Sequence, residues 1–161
     1  MPQAPLKIDI QVECADWEAA WPQLHRESRS ILRRAFGWRD LICGPSGGEV
    51  ALIFADDERL KALNFQFRGK RLNTNVLSFP DPDIPFGGIA IAFETVKREA
   101  QKQGKSFVNH SKHMILHGFL HLLGYDHIKP RAARLMEGLE IAILSEMSIS
   151  NPYILEGKAR G

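Results

Sequence analysis

Residues 117–127 read H-G-F-L-H-L-L-G-Y-D-H, and this stretch decides how the rest of the chain is interpreted. In a helix, His117 and His121 lie about 40° apart around the axis and roughly 6 Å apart along it, so both imidazoles project from one face. Gly124 can adopt the left-handed conformation that ends a helix and turns the chain back, which returns His127 toward the pair. The sequence therefore predicts three imidazoles around one metal ion with a fourth position open, as in a catalytic zinc site.

A purely structural role for these histidines is the alternative. A lone histidine on an apolar helix is usually a core residue whose ring nitrogens find hydrogen-bond partners. Here three histidines share a segment otherwise filled with large apolar side chains, and burying three polar rings there without a common partner would be costly. Those apolar residues are Met114, Ile115, Leu116, Phe119, Leu120, Leu122 and Leu123. Metal binding is the favoured interpretation.

Composition is that of an ordinary folded domain. The chain has 161 residues, of which 44% are hydrophobic and 25% charged, and its formal net charge of +2 is too small to identify a nucleic-acid binder. Cys14 and Cys43 form no CxxC pair, so we expect reduced thiols. No apolar run reaches the roughly 18 residues of a membrane span, and the first 15 residues lack the plan of a signal peptide. We therefore expect a cytoplasmic protein that does not associate with a membrane.

Hydrophobic periodicity predicts alternating strands and helices. The expected strands are Lys7–Cys14, Glu49–Ala55, Asn75–Phe79 and Gly88–Phe93, with a proline-rich loop over Pro80–Pro85. The expected helices are Asp16–Phe36, a short one capped by Asp56 and ending near Phe65, Glu94–Gly104, one capped by Ser106 and running to Gly124, and Ala132–Met147. These elements describe one α+β domain over residues 1–161, in which a mixed sheet of about four strands packs with helices, including a zincin-like metal-binding helix.

The histidine spacing matches that of the metzincin-type zinc proteases. In those enzymes a glutamate directly follows the first histidine and acts as general base. This chain has Gly118 at that position. Because glycine has no side chain to accept a proton, peptide hydrolysis by the usual route lacks its base, and a different chemistry is expected.

The histidine segment resembles the signature of the YbeY family of bacterial metal-dependent endoribonucleases. The likeness runs from about Asp56 to Glu146 and includes Leu63-Asn64, Arg68, Thr74-Asn75-Val76-Leu77-Ser78-Phe79-Pro80, and Met136 with Glu140. It implies an α+β fold with the histidine helix beneath a mixed sheet, one zinc ion at His117, His121 and His127, and processing of ribosomal RNA. Asn75 and Gly88 stand where members of the family commonly carry acidic residues, which leaves Asp126 as the nearest acid.

Several further residues have a functional and a plain interpretation. Arg68 is the first residue of the basic run R-G-K-R. From composition alone, an ordinary surface arginine is the simpler interpretation. Its match to the family's arginine favours a functional role, in which the planar guanidinium binds a phosphate through two hydrogen bonds. His113 and His110, one and two turns before His117, are expected to line the groove to the metal or to form a partly exposed polar face. Asp126 either orients a ligand imidazole or caps the turn.

The expected function is that of a zinc-dependent endoribonuclease acting on single-stranded or exposed ribosomal RNA, in small-subunit maturation and ribosome quality control. The metal would activate water and polarise the scissile phosphate, and Arg68 would stabilise charge on the phosphoryl oxygens. The resemblance implies ribosomal RNA and the small ribosomal subunit as partners. Two alternatives stay open: a zinc peptidase with an unusual base, and a non-catalytic ribosome-assembly factor whose zinc only supports the fold.

Overall fold

The strands assemble into one mixed sheet. The computed structural model describes residues 6–38, 48–69, 74–81 and 83–154. Its strands are β1 (Leu6–Val12), β2 (Gly48–Ala55), β3 (Val76–Asp81) and β4 (Ile84–Ala92). Their spatial order is β1-β2-β4-β3, with β1, β2 and β4 parallel and β3 antiparallel to β4. The predicted α+β class and four-stranded mixed sheet are confirmed.

Six helices surround this sheet in the described part of the chain. They are α1 (Asp16–Ala20), α2 (Leu24–Phe36), α3 (Asp57–Arg68), α4 (Phe93–Gln103), α5 (Phe107–Leu122) and α6 (Pro130–Ser145). Asp56 and Ser106 cap α3 and α5 as predicted, because each side chain accepts a backbone N–H in the first turn. Within the described ranges, no helix has the length and apolar character needed to cross a bilayer. Cys43 lies outside those ranges.

The two faces of the sheet differ in the size of their side chains. Along β4, Ile89 and Ile91 face the larger core, while Ala90 and Ala92 face a smaller one. The larger core is shared with α2, α5 and α6, and the smaller one is covered by α3. Apolar residues on both faces are expected of strands that helices cover on both sides, so α5 and α3 lie on opposite sides of the sheet.

The helix expected over Asp16–Phe36 is wrong as a single element. The chain leaves the helical conformation at Trp21, whose φ and ψ are −140° and 81°. Pro22 follows, and a proline disfavours the helical region for the residue before it. Two helices therefore replace the predicted one, and the indole of Trp21 is buried in the larger core.

The proline-rich loop expected over Pro80–Pro85 is also wrong. β3 extends to Asp81 and pairs there with Ile84 of β4, which makes this connection a tight hairpin. The pairing register shifts between Phe79 and Asp81, around Pro80. A proline is tolerated there because an edge strand pairs on one side only, so the missing N–H need not interrupt the sheet.

α5 lies directly on β3 and β4, and the approach is closest at Gly118. A Cβ at Gly118 would lie 2.8 Å from Cγ2 of Ile89 and 3.1 Å from Oγ of Ser78. The Ser78 hydroxyl donates to the Gly118 carbonyl at 2.8 Å. Glycine is therefore required by the packing of the helix on the sheet, and this contact sets the histidine end of α5 beside the edge strand β3.

Candidate metal centre

The chain reverses after α5 through the predicted glycine turn. Gly124 has a φ of +103°, and its N–H donates to the His121 carbonyl while the Tyr125 N–H donates to the Leu120 carbonyl, both at 3.0 Å. This is the hydrogen-bond pattern of a Schellman motif, which favours glycine at the left-handed position. The reversal brings His127 back to the end of α5, as the sequence predicts.

The three histidine rings converge on one point. Their centroids are 4.6 Å apart for His117 and His121, 5.1 Å for His121 and His127, and 5.4 Å for His117 and His127. One ligand nitrogen of each ring lies within 4.8 Å of the others, and the Nε2 atoms of His117 and His121 are 3.1 Å apart. Ligand nitrogens about 2.05 Å from a tetrahedral zinc ion are about 3.3 Å apart, so the spacing fits one such ion.

The protonation pattern of the two helical rings also suits a cation. Nδ1 of His117 lies 2.6 Å from Oε2 of Glu140, and Nδ1 of His121 lies 3.0 Å from the Tyr125 carbonyl oxygen. Both partners are acceptors, so each neutral ring carries its proton on Nδ1 and presents a lone pair at Nε2. Two lone pairs 3.1 Å apart repel each other unless a cation lies between them. The residues present therefore fit a metal ion on the ground of their own donor chemistry.

Electrostatics keep these groups in the forms that a metal requires. Burial and the nearby His117 ring lower the pKa of His121, which favours the neutral ligand form. Burial alone would raise the pKa of Glu140, but the neighbouring His113, His117 and Tyr153 groups outweigh it and hold this pKa at about 2. Glu140 is therefore an anion at neutral pH.

Glu140 is the acid nearest to the histidine cluster, and the expectation that Asp126 holds this position is wrong. Glu140 is fully buried on α6. Besides its contact with Nδ1 of His117, the carboxylate accepts a hydrogen bond from the Tyr153 hydroxyl. His113, His117 and Glu140 also have ligand atoms within 4.8 Å of one another, but the carboxylate already binds the His117 ring from behind. Its geometry is that of a group that orients a metal ligand.

Two further predictions about this region are decided by contacts. Oδ1 of Asp126 accepts the Ile128 N–H at 3.1 Å, so Asp126 caps the turn that carries His127. The expectation that His110 and His113 line the groove to the metal or an exposed face is wrong, since their side chains are only 4% and 8% exposed. They face a separate cavity at the other end of α5.

A cleft of about 770 Å³ opens beside the three rings. Ser78 and Pro80 of β3 line one part of it, and Ile128, which also lines it, is 85% exposed. His127 is exposed at this rim. The cleft therefore gives a ligand in solution direct access to the converging nitrogens.

The two positions that depart from the family pattern have structural explanations. The Asn75 amide donates to both carboxylate oxygens of Glu99, at 3.0 and 3.2 Å, where an aspartate would meet like charge. A Cβ at Gly88 would lie 2.4 Å from the ring of Phe79, so a longer side chain would displace that ring. Neither strand supplies a carboxylate at these positions.

Arg68 is the last residue of α3, which continues past the end near Phe65 that the sequence predicts. Its backbone is helical, but its side chain lies outside the described part of the structure, as do Lys70 and Arg71. The approach of the Arg68 guanidinium to the cleft stays a prediction.

Comparison with known proteins identifies the family. The model of the family described as Endoribonuclease YbeY matches residues 10–148. A protein named Endoribonuclease YbeY from Rhizobium etli is 50% identical over 161 residues, which cover 93% of this chain and 94% of that protein. Another of that name from a Chelativorans species is 48% identical over 154 residues, covering 91% and 92%. The chain belongs to the Endoribonuclease YbeY family.

Membership of the YbeY family confirms the resemblance that the histidine segment indicates, and it assigns the chain to a family of hydrolases that cleave RNA. The solution structure of TM1509 from Thermotoga maritima is similar in fold, with a TM-score of 0.58 over 88% of this chain and 91% of that one. At 24% sequence identity, this likeness supports the fold alone.

Sequence reasoning missed the roles of Glu140 and Tyr153. A signal for Glu140 was present, because this carboxylate lies on the apolar stripe of α6 between Met136 and Leu144. A carboxylate on a buried stripe requires a hydrogen-bond donor, and the histidines of α5 can supply one. Tyr153 offered no comparable signal, since it follows α6 in a segment without regular structure.

Proposed function

We propose that this chain is a zinc-dependent, single-strand-specific endoribonuclease that acts in the cytoplasm in small-subunit rRNA maturation and ribosome quality control. One zinc ion is held by His117, His121 and His127. The observation that carries the proposal is the convergence of three imidazoles, two with fixed Nδ1 partners, at the wall of an accessible cleft. Membership of an endoribonuclease family supports RNA as the substrate. The ribosomal role follows from the family resemblance.

The chain's own residues preorganise the site. When bound, a divalent ion supplies Lewis acidity toward the scissile phosphate. Glu140 and the Tyr125 carbonyl fix the rings of His117 and His121, so these ligands need no reorientation during the reaction. Arg68 is proposed to reach the phosphoryl oxygens, where a planar guanidinium can bind two oxygens at once.

Cleavage of RNA requires fewer catalytic groups from the protein than hydrolysis of a peptide does. An RNA strand brings its own 2′-hydroxyl and a charged phosphate, so positioning and charge stabilisation can act without a base next to the first histidine. The position of that base, Gly118, is buried against Ile89 and Ser78 in this fold. A glutamate there would meet the sheet, and this packing supports the nuclease over the peptidase.

The cleft also suits a single strand. Its volume of about 770 Å³ is in the range of sites that bind small ligands, which corresponds to a short stretch of chain rather than a duplex. Proteins that recognise single-stranded RNA receive splayed bases on apolar and aromatic side chains. Phe86, Pro80 and Ile128 at the cleft wall offer such surfaces.

The test compares four substrates. The purified protein is given single-stranded RNA, the RNA duplex and the DNA of the same sequence, and an unfolded polypeptide, while its zinc content is measured. We expect cleavage of the single-stranded RNA alone, lost in His117→Ala, which also serves as the contamination control. Metal-dependent proteolysis without histidine-dependent RNA cleavage would overturn the proposal. Binding to ribosomal subunits without cleavage of any substrate would instead support the assembly-factor alternative.

A further inference from the structure

A small pocket adjoins the metal centre beside α6. It has a volume of about 230 Å³, and His117 and His127 line it as they line the main cleft. Its other walls come from α6 and from Tyr153. Sites for drug-sized ligands usually begin at about 300 Å³, so this pocket suits a single planar ring system rather than a whole nucleotide. A substrate bound at the metal centre therefore has a side pocket next to it.

Two carboxylates line this pocket, and they differ in their partners. Both oxygens of Glu140 are engaged, Oε2 by Nδ1 of His117 and Oε1 by the Tyr153 hydroxyl. Glu137, one turn earlier on α6, is half-buried, and no side chain in the described ranges pairs with its carboxylate. Burial and Glu140 raise the pKa of Tyr153, and the charge of Glu137 adds to this rise, so the Glu137 carboxylate lies near the phenol ring. The pocket thus offers a ligand one carboxylate acceptor.

The ring of Tyr153 forms a fixed wall of the pocket. Its hydroxyl donates to Glu140, and its ring packs in a T-shaped arrangement with His113, with centroids 5.5 Å apart and an interplanar angle of 84°. The Tyr153 N–H donates to Oδ1 of Asn151 at 2.9 Å. Tyr153 is nevertheless 44% exposed, so part of its ring is open to a ligand. Aromatic side chains stack on the bases of single-stranded RNA, and a ring already held in place loses little entropy on binding.

A carboxylate distinguishes the four RNA bases by their Watson–Crick edges. Guanine carries two adjacent N–H donors there, at N1 and N2, which match the two oxygens of one carboxylate. Cytosine and adenine each place an acceptor nitrogen beside their amino group, and uracil flanks its single N–H with two carbonyl oxygens. Because these acceptors would face a carboxylate oxygen, only guanine forms two hydrogen bonds with it.

We propose that this pocket binds the base of a nucleotide next to the scissile phosphate and favours guanine. The Glu137 carboxylate accepts hydrogen bonds from N1–H and N2–H, while Tyr153 and Met136 provide apolar surface for the base. The inference rests on the proposed endoribonuclease function, because His117 and His127, which the pocket shares with the cleft, place the base beside the phosphate. Glu137 determines specificity in this arrangement, and the bond cleavage itself does not require it.

Single-stranded RNAs that differ at one position test the preference. Each is a uridine strand with one internal guanosine, adenosine or cytidine, and the products formed by the zinc-loaded protein are mapped. We expect kcat/KM at a bond flanking guanosine to exceed that at a bond between two uridines by about tenfold, the discrimination typical of a bidentate base contact. Equal cleavage at all bonds would overturn the inference and leave the proposed function intact.

A matched pair of variants on α6 assigns the preference to one carboxylate. Glu137→Gln should reduce it to within about twofold, because the amide replaces an acceptor oxygen with a donor that opposes a guanine N–H. Its metal content should stay that of the wild type, since Glu137 belongs to neither group of potential metal ligands in the described structure. Glu146→Gln removes the same charge at the end of α6, where the carboxylate pairs with Arg34, and should keep the full preference. An unchanged preference in Glu137→Gln would overturn the inference.

Nucleotide binding gives a readout that does not need cleavage. The zinc-loaded wild-type protein is titrated with GMP and with UMP while the NMR signals of the Met136 methyl group and the Tyr153 ring are followed. We expect GMP to shift both signals with an affinity about tenfold higher than that of UMP. If no RNA is cleaved, the proposed function fails, and this titration still decides the pocket. Equal affinities, or shifts confined to Phe86 and Ile128 of the main cleft, would overturn the inference.

Discussion

α5 carries two pairs of histidines whose surroundings have opposite character. His117 and His121 have one nitrogen fixed by an acceptor and the other directed at a shared point beside a cleft. His110 and His113 are buried, each with Nε2 beside a carboxylate and with an Nδ1 atom that has no hydrogen-bond partner in the described structure. Both pairs are spaced at one helical turn, so spacing alone does not make a metal centre. The difference lies in what the rest of the fold brings to each end of the helix.

Removing one ring from each pair tests this contrast most severely. His121→Ala should lower metal affinity by more than the roughly 100-fold associated with groups that only orient a ligand, and should abolish RNA cleavage. His113→Leu should retain full metal content, because its ring lies outside the converging set. Metal analysis after dialysis against a chelator distinguishes the variants. Equal metal loss in both would mean that the α5 histidines act as one set.

Glu140 makes a smaller but more specific contribution to the metal end of α5. Glu140→Gln should weaken metal binding by about 10- to 100-fold, because the neutral amide holds the Nδ1 proton of His117 less strongly. Tyr153→Phe removes only the hydroxyl bonded to the other carboxylate oxygen and should have a weaker effect. Competition with a chromogenic chelator measures both affinities. Unchanged affinity in Glu140→Gln would exclude an orienting role.

Two glycine replacements examine why the metal end of α5 lies against the sheet. Gly118→Ala should destabilise the protein by about 1–3 kcal/mol, because the new methyl would overlap the Ile89 side chain. Gly138→Ala on α6 is the control, since no atom lies within 4 Å of its Cβ position, and it should stabilise by about 0.5–1 kcal/mol. Denaturant unfolding reports both values. The same sign for both variants would contradict this packing.

The smallest effect concerns Glu99, the acid that contacts His110 of the buried pair. Burial alone would raise the pKa of Glu99, but hydrogen bonds from His110 and Asn75 outweigh it and hold the pKa below its usual 4.5. A carboxyl with a lowered folded pKa contributes stability that is present above its unfolded value and is lost as the pH falls through the folded value. Glu99→Gln should therefore lose less stability than the wild type between about pH 5 and about pH 3. Parallel losses measured by denaturant midpoints would argue against this coupling.

Element prediction succeeded where local signals agree. The caps at Asp56 and Ser106 fix where α3 and α5 begin, and the alternation in β1 identifies a strand. The prediction failed at Pro22 and at Pro80, for opposite reasons. Pro22 breaks an otherwise continuous helical pattern, whereas Pro80 is accommodated by an edge strand, and edge position is decided by the sheet as a whole.

The sequence by itself determined the three-histidine cluster, since one helical turn and a glycine reversal bring the rings together within eleven residues of chain. Only the tertiary structure decided that Glu140, 23 positions after His117, orients one of these rings. It also decided that His110 and His113 are buried, because α6 and the segment 149–154 cover one part of α5 and leave another beside the cleft. The placement of side chains around one helix follows from consecutive residues, whereas burial and long-range contacts depend on how separate elements pack.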